Sequence, residues 1–147
     1  MKKYKLILII IWMIVIFMFS NHTGKHSGEL SNSIIDNTIV KVYEVFNGNV
    51  SDDQRKEIIN KYSYPVRKLA HFTEFFILGV LCFTFFKDFT RHYIIYSILV
   101  CFLYACSDEI HQIFSVDRGP SFIDVLIDTF GSICSIFLMN IKRFKKI

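Results

Sequence analysis

Three groups of chemically capable side chains sit in otherwise apolar sequence. The first is Ser107-Asp108-Glu109-Ile110-His111-Gln112; the second, after an Arg118-Gly119-Pro120-Ser121 turn, is Asp124 with Asp128; the third is Lys68, His71 and Glu74. Side chains three or four residues apart share a helix face, so Lys68, His71 and Glu74 form one stripe. Asp108, His111 and Gln112 form a second, with Glu109 at its edge, and Asp124, Asp128 and Gly131 a third. If the stripes face one another, cations, carboxylates and imidazoles meet in one cavity.

His71-x-x-Glu74 and Asp108-x-x-His111 each place a nitrogen and an oxygen ligand on one helix, and Asp124 and Asp128 add two further oxygens. A divalent metal is therefore the candidate cofactor, with His71, Glu74, Asp108 and His111 as its candidate ligands; it would polarise a phosphoryl or carbonyl oxygen or activate water. Metal-free acid–base chemistry between His111 and Asp108 fits equally well. The candidate catalytic set is His71, Glu74, Asp108, His111 and Asp128. Lys68, Glu109, Gln112, Arg118 and Asp124 are the candidate substrate contacts: Lys68 and Arg118 would neutralise an anionic headgroup, Arg118 as a two-pronged donor.

Structural roles compete with these. Asp124 is also the third-position acid of a capping box begun by Ser121. Arg67 and Lys68 have stems long enough to snorkel to headgroups, and Glu109 has the option of facing water. His22 and His26, four residues apart, are either a metal pair or exposed loop residues. His71, Glu74, Asp108, His111 and Asp128 would also serve as an ion-pair network that fixes helix register. The density of polar groups favours a site, because ionisable side chains at membrane depth are costly and are kept where they have work to do.

The elements that must position these groups follow from the hydropathy. The chain has 147 residues, 52% of them hydrophobic, with a mean hydropathy of +0.39, too apolar for a soluble domain of this size. It reads as one all-α membrane domain. The net charge of +4 is no nucleic-acid signature, because the basic residues flank apolar runs instead of lining one face. The four cysteines lie in apolar runs without Cys-x-x-Cys spacing and read as small core residues.

Lys2, Lys3 and Lys5 precede an apolar run from Leu6 to Phe19. A polar Ser20-Asn21-His22-Thr23-Gly24 exit in place of a small-residue cleavage site makes this a retained first span, about residues 5–20. Leu30, Ile34, Ile35, Ile39, Val42, Val45 and Phe46 then recur at helical spacing, which predicts an amphipathic, extracytoplasmic helix, with a partly disordered loop as the alternative. Asn47-Gly48-Asn49 is a stop, and Ser51-x-x-Gln54 opens a short charged helix to Asn60. Pro65 in a first helical turn begins the second span, residues 65–86. The third and fourth spans cover 93–114 and 121–141. Lys2, Lys3, Lys5, Lys87, Arg91, Lys142, Arg143, Lys145 and Lys146 then share one side of the membrane with Asp88 as the sole acid, which predicts cytoplasmic termini. The expected fold is a four-helix membrane bundle with its polar layer near the outer surface.

Ser107-Asp108-Glu109-Ile110-His111-Gln112, Arg118 and Asp124-Val125-x-Ile127-Asp128-x-x-Gly131 resemble the VanZ-like family of small bacterial membrane proteins. Lys68-Leu69-Ala70-His71-Phe72-x-x-Phe75 matches its second-span motif, and Phe19-Ser20 with Ser27 and Ser31 is similar to its segment after the first helix. The chain departs from the pattern at Asn21-His22, where Ser-Gln is more usual, and at Phe75, where the family often has tyrosine. The resemblance implies a multi-pass protein of the bacterial cell membrane; the founding member is linked to teicoplanin resistance, which by itself defines no chemistry.

Three functions fit these observations. The site acts on a lipid-linked or cell-wall substrate of the outer leaflet; or it binds a lipid headgroup, glycolipid or lipoglycopeptide unchanged; or it conducts protons or ions. The last ranks lowest, because the inner halves of the spans carry little beyond Thr84, Ser97 and Ser135. Oligomeric state is not encoded in any recognisable feature.

Overall fold

A computed structural model describes residues 2–21, 24–113 and 121–144, with the side chains of residues 3–21, 28–113 and 121–141. Every regular element among them is helical: α1 (Lys2–Ser20), α2 (Gly24–Ile35), a π-helical turn (Asp36–Val40), α3 (Lys41–Asn47), α4 (Asp52–Phe86), α5 (Tyr93–Gln112) and α6 (Phe122–Phe144). Four of these, α1, α4, α5 and α6, are long and apolar enough to cross a membrane. Their outward faces confirm the environment. Ile7, Ile10, Ile11 and Ile14 on α1, Leu99 and Leu103 on α5, and Phe130 and Phe137 on α6 are between 46% and 63% exposed, a continuous apolar belt that water would not tolerate.

The four long helices form an antiparallel bundle with α4 at its centre, packed most extensively on α6 and then on α5 and α1. Phe75, Leu78 and Cys82 of α4 meet Ile9 and Ile16 of α1, Cys101 and Ala105 of α5 and Val125 of α6 in the core. Cys82 and Cys101 are small core residues as expected; Cys106 and Cys134 are half-buried, and all four thiols are free. Lys5 Nζ donates to Asp88 Oδ2 at 2.5 Å and to the Thr84 carbonyl at 3.0 Å, and Tyr93 Oη donates to Asn140 Oδ1 at 3.0 Å. These contacts gather the start of α1, the α4–α5 hairpin and the end of α6 at one end of the bundle, hereafter the hairpin end.

One expectation needs correcting. The charged helix at 51–60 and the second span are a single 35-residue helix, α4, that runs through Pro65. Its start is as expected: Ser51 Oγ accepts from the Gln54 N–H at 3.3 Å while Gln54 Oε1 accepts from the Ser51 N–H at 3.1 Å. Proline removes one backbone donor and crowds the carbonyl four residues earlier, yet neighbouring turns carry a helix past it when both flanks are held. At 1.5 Å per residue α4 is about 50 Å long, well beyond the hydrocarbon core, so its first third projects from the bundle.

The amphipathic segment is helical from 24 to 47, as expected, with a π-helical turn in its middle. Ser31, Ile35 and Val40 are buried, while Leu30, Ile34, Val42, Val45 and Phe46 are exposed. The segment folds back along the projecting part of α4: Ser63 Oγ donates to Asn32 Oδ1 at 2.6 Å, and Arg55 donates to Asp36 Oδ1 at 3.0 Å and Glu44 Oε1 at 2.9 Å. Gly48, with φ at +81°, ends α3 at the expected stop.

Candidate functional site

At the end of the bundle opposite the hairpins, the polar stripes converge. Close contact between α4 and α6 sets the register. A Cβ on Gly131 would lie 2.5 Å from the Phe72 carbonyl oxygen, and one on Gly79 would lie 2.8 Å from the Ser132 carbonyl oxygen. Only glycine permits backbones to approach so closely, and the small-residue run Gly131, Ser132 and Ser135 keeps them in contact for two turns. Gly131 seats against Phe72, next to His71, and so carries Asp128, one turn earlier on α6, to the same level as His71.

There, ligand-capable atoms of His71 on α4, Asp108 on α5 and Asp128 on α6 all lie within 4.8 Å of one another. Asp128 is 0% exposed, and neither of its carboxylate oxygens accepts a hydrogen bond from the described residues. Asp108 is held from behind: its Oδ2 accepts from Gln112 Nε2 at 3.0 Å, and the same nitrogen reaches Ser20 Oγ at the end of α1, 3.1 Å away. His71 Nδ1 is 3.7 Å from Glu74 Oε2, one turn further along α4. The Glu74 backbone is fixed in turn by Trp12 of α1, whose Nε1 donates to the Glu74 carbonyl at 2.9 Å.

The remaining expected residues surround this centre in different ways. Lys68 Nζ donates to Asp124 Oδ1 and lies 4.9 Å from the centroid of the Tyr64 ring, forming a cation–carboxylate pair on the solvent side of His71. Asp124 thus spends its carboxylate on α4. Glu109 Oε2 accepts from the Ser121 N–H at 2.7 Å and anchors the start of α6. His111 stands apart from the group of three: its ring packs on Phe17 of α1 with centroids 4.4 Å apart. Three residues after Asp108, its side chain is rotated by about 60° around α5, enough to turn it from α4 and α6 towards α1. Arg118, His22 and the His26 side chain lie outside the described residues.

Sequence spacing did not single out Ser20, Trp12 or Phe17. Ser20 carried a usable signal, since a hydroxyl ending the first span lies at the same depth as Gln112, which ends the third. Trp12 is the single tryptophan in the chain and the one indole N–H donor available to the bundle.

Chemically, this is an acid-rich centre. Glu74, Asp108, Glu109, Asp124 and Asp128 meet Lys68 as the ammonium within the layer, while the Arg67 guanidinium lies towards Gly28 of α2. Among the described residues these acids outnumber the cations of the layer, and buried carboxylates so gathered call for a cation, a shared proton or a substrate that brings one. A family model described as VanZ/LLP1 matches residues 5–143. The chain belongs to that family. The VanZ/LLP1 match covers all four spanning helices and the polar layer, and makes the protein a membrane protein of that family. No curated protein and no solved structure matches the chain.

Proposed function

We propose that this VanZ/LLP1 protein acts in the bacterial cell membrane, with both termini cytoplasmic, on an anionic lipid-linked envelope substrate at the outer leaflet. His71, Asp108 and Asp128 perform the chemistry, with Glu74 orienting His71. The observation that carries this reading is Asp128. A carboxylate with no exposed surface and no hydrogen bond from the described residues is costly to keep for packing alone, and it stands beside an imidazole and a second carboxylate. A site built only to bind would satisfy its acids with donors.

The lipid nature of the substrate is supported by a groove of about 370 Å³ between α1 and α4. It is shallow and open; Trp12, Leu69, Ala70, Thr73 and Ile77 make it almost wholly apolar, and Glu74 also lines it. A hydrocarbon chain lying there brings its headgroup to Glu74 and His71, where Lys68 supplies positive charge and a proton acceptor is at hand. Arg118 joins Lys68 as the second cation for the headgroup, and Gln112 holds Asp108 in register.

The test compares envelope lipids and wall precursors by mass spectrometry in cells making the wild type or Asp128→Asn at matched membrane levels. The expected result is a species formed or consumed only with the wild type; identical profiles contradict the proposal. Teicoplanin susceptibility, the trait linked to the family's founding member, is measured on the same cells. Resistance that follows the lipid change and is lost in Asp128→Asn is the expected consequence.

A further inference from the structure

The same three residues present an incomplete ligand shell. An imidazole nitrogen and two carboxylate oxygens come from three different helices, and all three atoms lie within 4.8 Å of one another. Asp128 offers lone pairs that none of the described residues uses. Among the described residues, Lys68 is the ammonium of the layer, and it is engaged by Asp124. A single proton would neutralise one of the two carboxylates, whereas a divalent ion neutralises both.

We propose that His71, Asp108 and Asp128 bind one divalent metal ion of the zinc or manganese kind. One imidazole with two carboxylates is a borderline donor set; calcium and magnesium favour all-oxygen shells. Ligand bonds of about 2.0–2.2 Å bring the three atoms to about 3–4 Å from one another, a movement of roughly 1 Å that rotation about side-chain bonds supplies. Three protein ligands leave coordination positions open for a substrate oxygen or water, the arrangement of a catalytic and not a structural site.

The outer contacts fit as well. Glu74, 3.7 Å from His71 Nδ1, is placed to orient the imidazole, while Gln112, tethered to Ser20, orients Asp108. His111, which its spacing from Asp108 had suggested as a ligand, is left against Phe17. The inference deepens the proposed reading and rests on it for what the ion does; the presence of the ion is read without any substrate.

Full-length protein is purified in detergent without chelators and its metal content measured by inductively coupled plasma mass spectrometry. About one divalent ion per chain is expected in the wild type, and loss of it in both His71→Ala and Asp128→Asn. In a second measurement, wild-type protein stripped with a chelator is titrated with Zn²⁺ or Mn²⁺ alone. A rise in Tm of several degrees at saturating metal is expected, since an ion that binds only the folded state stabilises it.

Wild type holding less than about a tenth of an ion per chain, with no rise in Tm from either metal, overturns the inference, and so does metal retained in both variants. If the variants fail to accumulate, the wild-type titration decides alone. A metal-free protein that still converts lipid leaves the proposed function standing. A metal-bound protein that converts nothing contradicts the function and not the ion.

Discussion

Asp124 opens a helix, yet its carboxylate is turned across to Lys68 on α4, and that choice shows how the residues of the layer divide their work. Lys68 and Asp124 hold each other at the rim, with side chains 17% and 11% exposed. Removing one partner strands the other in poor solvent. Lys68→Ala is therefore expected to cost about 2 kcal/mol in stability, less than the roughly 3–5 kcal/mol of a fully buried pair. The double variant Lys68→Met/Asp124→Leu should recover most of that loss in a thermal melt while remaining inactive on lipid, because the positive charge for the headgroup is gone. A double variant as active as the wild type would show that the pair is only structural. At this scale the sequence was informative about which residues share the layer and less so about partners. Spacing placed Lys68, His71, Asp108, Asp124 and Asp128 at one depth, but helical periodicity has no means of saying that His111 turns to Phe17, because that depends on how α5 is rotated against α1.

Among the elements, the α4–α6 contact does most to make the site. Gly131 abuts the Phe72 backbone so tightly that a methyl group must push α6 outward, and Asp128 moves with it. Gly131→Ala is expected to lower stability by about 1–3 kcal/mol, the usual range for overpacking, and to reduce lipid conversion by more than stability alone explains. Gly48→Ala is the control: it is strained by its positive φ but has open space around it, so it should leave conversion unchanged. Equal activity in wild type and Gly131→Ala would mean that helix spacing does not set the site.

The helices themselves were largely legible, since apolar runs of spanning length and a capping box leave little choice. Pro65 misled because a proline four residues after Lys61 reads locally as a start, while the turns before it are held by Ser63 to Asn32 and Arg55 to Asp36 and Glu44. Those are contacts with α2, the π-helical turn and α3, made across the turn at residues 48–51, and helical periodicity within α4 does not show them. The same contacts decide which side of the 24–47 segment is buried.

For the molecule as a whole, the bundle separates two ends of opposite character. The hairpin end carries Lys5, Lys87 and Arg91, and the opposite end the acid-rich centre about 22 Å away along α4. Reporter fusions at residues 1 and 147 are expected to report cytoplasm, and a cysteine placed at Asn49 to react with an impermeant thiol reagent from outside; the reverse labelling would put the site on the wrong leaflet for an envelope substrate.

Catalysis by the buried centre is tested most directly by reconstituting purified protein into vesicles of extracted envelope lipid and following lipid composition with time. Wild type is expected to convert one anionic lipid class steadily, and Asp128→Asn, folded and equally incorporated, to fall at least about 100-fold below it, the loss typical of removing a general acid or base. Steady conversion by Asp128→Asn at the wild-type rate, or no conversion by either protein, would contradict it.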